Sequence, residues 1–215
     1  MFRVFKVTSP LSVGSWVLAV SGGASGTAAA LELLGMLKPV KRAAETVSFF
    51  AGPPLATYTG ALLANTAVPV WHEARIELPV LFGASAMATA GAATVLFVDP
   101  AEAGPARRIA IGAAAGELVV AKAMRRRLGF VGEVYERGEA GRYGRIARAC
   151  TGAGAALLAL RGRRSRAAAV AGSSLVLAGG LALRFSVFRA GFQSARDPRY
   201  TIVPQRERLA ARARE

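Results

Sequence analysis

Residues 46–70 read TVSFFAGPPLATYTGALLANTAVPV and contain no Asp, Glu, Lys or Arg. At about 1.5 Å per residue, a helix of this length crosses a hydrocarbon core of roughly 30 Å. Pro53 and Pro54 interrupt its backbone hydrogen bonds near the start, whereas Tyr58 and Asn65 place polar groups at membrane depth. Lipid tolerates such groups where they face other helices or a cavity. The stretch therefore predicts a spanning helix with one functional face, or else a Pro-kinked helix whose polar groups only bond to neighbours.

Five further apolar runs surround this stretch, in a chain of which 53% is hydrophobic and whose charges fall between the runs. This pattern is typical of a polytopic membrane protein. We predict an all-α fold, a transmembrane helical bundle of about six spans forming one integral membrane domain over 1–215. The predicted spans are 13–37, 46–70, 78–98, 109–124, 146–160 and 167–183.

The segments between and beside the spans carry further expectations. The fifth apolar run is short, so we predict that it forms a helical hairpin with the sixth around a basic turn at 161–166. The stretch 125–148 is expected to lie at the surface as a short helix or loop, and 193–215 as a polar, exposed tail. Trp71 and His72 are expected in an interfacial aromatic belt, and the GxxxG spacing at 22–26 is expected to pack against another helix.

The charge and the potential ligands exclude several classes of protein. The net charge of +15 could indicate nucleic acid, but Lys and Arg flank apolar segments, so we predict a lipid bilayer as the partner and no nucleic acid. His72 is the only histidine and Cys150 the only cysteine. Paired-histidine haem and a cysteine-ligated iron–sulfur cluster each need more ligands. We therefore predict no haem, no cluster and no metal site within this chain.

Four polar residues within or near the apolar runs are the candidates for chemistry: Glu32, Tyr58, Asn65 and Glu117. A bundle with such residues suits a lipid-soluble ligand with polar ends, a proton path or a transported solute. Each residue also has an ordinary interpretation. A buried tyrosine can bond to a backbone carbonyl, and a glutamate can bond to a neighbouring helix or reach the surface from a helix end.

Four stretches, in order along the chain, carry a resemblance to a known family. They are SPLSVGSW at 9–16, YTG at 58–60 with NTAVPVW at 65–71, LPVLF at 78–82 followed by SA at 85–86, and RFSVFRAG at 184–191 followed by SARDP at 194–198. Together they resemble the NrfD/polysulfide reductase membrane-subunit family, in which the first stretch reads SPMSxGSW.

The resemblance implies an integral, haem-free, quinone-reactive subunit. Such subunits lie beneath a ferredoxin-like iron–sulfur subunit, usually with a molybdopterin catalytic subunit, and pass electrons between the cluster and menaquinone. Family members usually have eight or more spans, and the first matching stretch opens about the third. The resemblance therefore implies that two helices and part of the quinone pocket are missing here, as in a fragment, a mis-assigned start or a shortened relative.

We therefore expect a membrane subunit of a respiratory oxidoreductase, either quinone-reactive or non-catalytic, in the cytoplasmic membrane. Tyr58 matches the family's quinone-contacting tyrosine. It shares a helix face with Leu62 and Asn65 at i, i+4 and i+7, so these three are predicted to line a quinone site. Glu32 or Glu117 would transfer the coupled proton. The alternatives are a transporter or channel-like protein, and a structural anchor without a working quinone site.

The basic residues also predict the orientation. With six spans, 19 of the 28 Lys and Arg residues fall on the side that holds both termini, and that side should be cytoplasmic. In a Cys150→Ser background, single cysteines placed after residue 193 and beside Arg137 should both resist a membrane-impermeant thiol reagent added from outside. If the two positions lie on opposite sides, either the fifth or the sixth span does not exist.

Overall fold

The computed structural model describes residues 10–212. Eight α-helices and one 3-10 turn, at Glu133–Tyr135, account for the regular structure of this range, and it contains no strand. The all-α prediction is therefore confirmed. The helices are α1 Pro10–Leu34, α2 Lys38–Ala64, α3 Pro69–Glu73, α4 Glu77–Phe97, α5 Gly104–Gly132, α6 Gly138–Leu160, α7 Arg166–Arg196 and α8 Arg199–Arg212.

The four helices α4 to α7 form the centre of the bundle, with α6 and α7 paired as an antiparallel hairpin. Helix α2 packs on the outer side of α4, and α1 packs on α2. The short helix α3, the 3-10 turn and α8 gather at one end of the bundle, which we call the tail end. Buried residues form one core cluster at the tail end and a second at the opposite end, the latter built mainly from alanines.

The helix bounds differ from several predicted spans. Helix α2 begins at Lys38, ahead of residue 46, and continues through Pro53 and Pro54 to Ala64. Residues 69 and 70 belong to α3 instead. By length and composition alone, three helical segments could cross a membrane: Ser12–Leu34, Glu77–Phe97 and Arg166–Arg196. The six-span arrangement stays a prediction.

The expectation of a surface helix or loop over 125–148 is wrong. Helix α5 continues to Gly132, bending at Gly129, where the backbone has a positive φ of 51°. Helix α6 begins at Gly138, so it has 23 residues and is longer than the apolar run within it. The reason is that Leu128, Val131 and Val134 are buried and join the tail-end core, which holds this stretch against the bundle.

The tail is only partly exposed, which corrects the second surface expectation. Helix α7 continues to Arg196, and Ser194 is 1% exposed. Asp197 then accepts a hydrogen bond from the backbone N–H of Arg199 at 3.0 Å, at the start of α8. In α8, Tyr200 is buried and stacks on Phe130 with ring centroids 5.2 Å apart. Residues 213–215 of the predicted tail, like Ser9 of the first matching stretch, lie outside the described residues.

Trp71 was expected in an interfacial aromatic belt, but its side chain is buried within the bundle. Its indole N–H donates to the backbone oxygen of Val187 at 2.9 Å. The ring packs directly on Gly191, where an added Cβ would lie 2.1 Å from the nearest ring atom. A buried indole needs a partner for its N–H, and α7 supplies that partner together with the space for the ring. His72, one residue on, is exposed as expected.

The hairpin of α6 and α7 is held by close backbone approach. A Cβ at Gly154 would lie 2.6 Å from the backbone oxygen of Gly172, and a Cβ at Gly172 would lie 2.9 Å from Leu158. In contrast, nothing lies within 4 Å of the Cβ positions of Gly22 and Gly26. The expected packing at the GxxxG spacing of α1 is therefore wrong for the described residues, because α1 contacts α2 through another face.

At the far end of the hairpin, Arg166 binds the end of α4. Its guanidinium donates to the backbone oxygens of Val95 at 3.1 Å and Val98 at 2.7 Å. These carbonyls come at the C-terminal end of a helix, where oxygens lack partners within the helix and the helix dipole favours a cation. One arginine of the basic turn thus ties α7 to α4.

Two glycines of α6 give a direct test of this packing. Gly154→Ala should destabilise the chain by about 1–3 kcal/mol, because backbone atoms of α7 would have to move. Gly152→Ala is the matched control. Its Cβ would meet only Leu118 at 3.9 Å, so it should be neutral or stabilising through helix propensity. Reversible unfolding in mixed micelles measures both, and equal stability of the two variants would contradict the close approach.

Candidate functional site

Glu117 is a carboxylate enclosed within the bundle. It lies near the middle of α5 and is 3% exposed. The Thr151 hydroxyl, on α6, donates to its Oε1 at 3.0 Å. The Ser85 hydroxyl, on α4, is within hydrogen-bonding reach of the same carboxylate. Both hydroxyl-bearing residues are fully buried, so the carboxylate is satisfied by protein groups, as a buried charged group must be.

Arg184 of α7 completes the group. Its Nη1 donates to the Gly180 backbone oxygen at 2.9 Å and makes a longer contact of 3.4 Å with the Ser85 hydroxyl. The guanidinium lies 6.0 Å from the centroid of the Phe82 ring, which adds a cation–π attraction. Ser85, Glu117, Thr151 and Arg184 therefore form one polar cluster, with one residue from each central helix. We call it the four-helix polar cluster.

Two adjacent glycines of α7 make the cluster possible. A Cβ at Gly179 would lie 2.2 Å from the Thr151 hydroxyl oxygen, and a Cβ at Gly180 would lie 2.5 Å from the methyl group of Thr89, one turn from Ser85 on α4. Any larger residue at Gly179 would displace the hydroxyl that bonds to Glu117. Small residues at helix interfaces allow this close approach and bring short polar side chains within reach of each other.

A small cavity adjoins Glu117 on its tail-end side. Its volume is about 20 Å³, enough for roughly one water. Most of its lining is aliphatic, but five polar side chains reach it: Glu117, Arg125, Tyr135, Arg148 and Ser186. The Ser186 hydroxyl is already committed, since it donates to the Ala140 backbone oxygen at 2.8 Å. We call this space the Glu117 cavity.

Tyr58 lies elsewhere, between α2 and α1. Its side chain is half-buried, and its ring rests on Gly14, where a Cβ would lie 1.8 Å from the ring. Within the described residues, no hydrogen-bond partner of its hydroxyl is found. Leu62, one turn further along α2, is also half-buried. The contact joins two of the stretches that carry the resemblance, since Gly14 belongs to SPLSVGSW and Tyr58 to YTG.

Asn65 and Glu32 lie at helix ends. Asn65 follows the last residue of α2 and is exposed, and its side-chain amide donates to the Ala61 backbone oxygen at 2.9 Å. Glu32 is exposed near the end of α1 and forms an ion pair with Lys41, which also approaches Glu45 at 3.6 Å. Both are thus engaged in local contacts around the ends of α1 and α2.

The predicted residues consequently fall in separate places. Tyr58 and Leu62 lie on α2, Asn65 and Glu32 at helix ends, and Glu117 inside the central bundle. Sequence analysis missed the partners of Glu117: Ser85, Thr151 and Arg184. Ser85 and Thr151 are isolated hydroxyl residues in small-residue segments. Their role becomes visible only when a buried acid is known to lie on a neighbouring helix. The sequence alone does not show which helices are neighbours.

The bond to Glu117 can be tested by an isosteric change. Thr151→Val keeps the volume and deletes the hydroxyl, so the carboxylate loses a donor. The loss should destabilise the chain by about 1.5–3 kcal/mol, the range for hydrogen bonds to charged groups. Ser173→Ala is the control, because the Ser173 hydroxyl is also buried but has no partner among the described residues. If both variants unfold in mixed micelles at the same denaturant concentration, the Thr151–Glu117 bond contributes nothing.

The comparisons with known proteins place the chain in a family. The family model described as polysulfide reductase, of the NrfD type, matches residues 1–197. No curated protein and no solved structure gives a significant match. The match covers all four stretches that carry the resemblance, apart from Pro198 at the end of the last one. It therefore confirms the resemblance. The chain therefore belongs to the NrfD-like polysulfide reductase family, and this membership indicates a membrane subunit of a redox complex.

Proposed function

We propose that this subunit exchanges electrons between a partner iron–sulfur subunit and menaquinone or menaquinol, and anchors the complex in the cytoplasmic membrane. A molybdopterin catalytic subunit would complete the complex. The observation that carries the proposal is Glu117, a carboxylate buried at the centre of the bundle in a chain of a redox family. Ionisable residues at this depth are costly and are a common mark of proton transfer or ligand binding.

Quinone chemistry needs such a group. Reduction of a quinone to a quinol takes up two electrons and two protons, and oxidation releases them. Under the proposal the electrons pass to or from the cluster of the partner subunit, and this chain carries the protons. A carboxyl group can bind and release a proton at a fixed position, which is the requirement for general acid–base transfer. The proposal keeps the expectation that the chain itself holds no haem and no cluster.

Glu117 is preferred over Glu32 for this role. Glu32 is exposed and is paired with Lys41, so its charge is compensated outside the bundle. Glu117 accepts a hydrogen bond from the Thr151 hydroxyl, the Ser85 hydroxyl lies within reach, and Arg184 contacts Ser85 at 3.4 Å. Hydroxyl groups can donate to a carboxylate or accept from a carboxylic acid. The four-helix polar cluster can therefore accommodate either protonation state of Glu117.

Tyr58 is proposed as the hydrogen-bond donor to one quinone carbonyl, with Leu62 beside the ring. Two observations support this proposal. The Tyr58 hydroxyl has no hydrogen-bond partner among the described residues, and the Tyr58 ring packs on Gly14. Asn65, just after the last residue of α2, remains part of the proposed quinone site. One of its amide hydrogens bonds to Ala61, while its side-chain oxygen remains an acceptor.

The test uses membranes that carry the whole complex, with quinol-linked electron transfer normalised to subunit content. Tyr58→Phe keeps the ring and deletes the hydroxyl, so it should slow turnover about two- to tenfold, as for one neutral hydrogen bond. Glu117→Gln keeps the shape but cannot carry a proton, so it should slow turnover by about a hundredfold or more.

Tyr143→Phe is the matched control, because Tyr143 is a half-buried tyrosine that stacks on Phe185 and is not among the residues lining the Glu117 cavity. It should leave turnover unchanged. Full activity of Glu117→Gln in an assembled complex would contradict the proposed proton role. Full activity of Tyr58→Phe would return Tyr58 to ordinary helix packing and favour a structural contribution of α2.

A further inference from the structure

Tyr135 is a buried tyrosine whose hydroxyl has no partner. It lies in the 3-10 turn between α5 and α6 and is 4% exposed. Within the described residues, its hydroxyl forms no hydrogen bond. Leaving a buried hydroxyl unpaired costs on the order of 1–3 kcal/mol, and such groups are usually satisfied by an ordered water. The orphaned hydroxyl therefore points to a bound water.

The Glu117 cavity provides the place for that water. Tyr135 and Glu117 both line it, and its volume of about 20 Å³ corresponds to roughly one water. A buried water needs two to four polar partners, and the guanidinium groups of Arg125 and Arg148 line the same space. For a water in this cavity, Glu117 is an acceptor and the two arginines are donors. The Tyr135 hydroxyl can either donate or accept.

Two arginines of the cavity lining also reach the tail-end surface. Arg125 approaches the exposed carboxylate of Glu136 at 3.8 Å, and Arg148 is half-exposed. Their guanidinium groups keep this side of the cavity polar. Burial, and after it the charge of Glu77, raise the pKa of Tyr135. Its hydroxyl therefore stays protonated and can orient the water without ionising.

We infer that the Glu117 cavity is a water-binding site, held by Tyr135, through which Glu117 exchanges its proton with solution at the tail end. Tyr135 is a positioning residue, and the water is the carrier. In the inward step a protonated water gives one proton to the Glu117 carboxylate, so one O–H bond breaks as another forms and neutral water remains. The outward step is the reverse. The inference rests on the proposed role of Glu117 and adds the route by which its proton arrives.

Two measurements on the full chain in lipid nanodiscs test this route. First, a density map that resolves waters should show one within hydrogen-bond distance of both the Tyr135 hydroxyl and Glu117. Second, infrared difference spectra after a pH jump should follow the protonation of Glu117, whose bands are identified by their loss in Glu117→Gln. Tyr135→Phe should slow this protonation about two- to tenfold, as for one hydrogen bond removed from the positioned water. Tyr143→Phe should have no effect.

A dry cavity would overturn the inference. So would the same protonation rate in Tyr135→Phe and the wild-type chain, or Glu117 bands that do not change with pH. These failures can be told apart from failure of the proposed function. If Tyr135→Phe leaves the rate unchanged while Glu117→Gln still stops quinol-linked turnover, only the route is wrong. Because Tyr135→Phe keeps the ring and removes a hydroxyl with no protein partner among the described residues, the variant should fold as well as the wild-type chain.

Discussion

The burial of one carboxylate constrains the centre of this protein. A charged or hydrogen-bonding group that is cut off from water must find partners within the protein. Glu117 accepts a hydrogen bond from the Thr151 hydroxyl of α6, and the Ser85 hydroxyl of α4 lies within reach of it. Arg184 contacts Ser85 from a fourth helix. Helices α4 to α7 therefore meet in the four-helix polar cluster, and a shift of any of them would alter a contact within it.

Close packing supplies the geometry that this cluster requires. Short side chains such as serine and threonine reach across a helix interface only if the backbones are unusually near each other. Gly179 and Gly180 bring α7 against Thr151 and Thr89, while Gly154 and Gly172 bring the two arms of the hairpin together. The same approach leaves little empty space inside the bundle. The Glu117 cavity is small, and its polar lining sets it apart from a simple packing defect.

The proposed proton carrier and the proposed quinone contact lie in different parts of the molecule. Glu117 belongs to the central helices, whereas Tyr58 lies between α2 and α1, with α2 on the outer side of α4. A quinone beside Tyr58 would meet the bundle at its edge, where lipid-soluble molecules arrive. Under the two proposals, access for an apolar ligand is separate from access for protons at the tail end, and a coupled redox reaction requires both.

The sequence by itself determined the all-α class, the apolar segments and the family, because these depend on composition, on the length of uncharged runs and on short local motifs. It also identified Glu117, since a lone acid in an apolar run is costly wherever the helix packs. It did not predict that Leu128, Val131 and Tyr200 would be buried and hold 125–148 and part of the tail against the core. These apolar residues are scattered among polar ones, so no apolar run marks them in the sequence. Only the tertiary structure decided that Trp71 is buried, that Ser85, Thr151 and Arg184 gather around Glu117, and that Tyr135 faces a cavity beside it. Each of these depends on which helices pair and how closely, and that is set by contacts between glycines and side chains far apart in the chain.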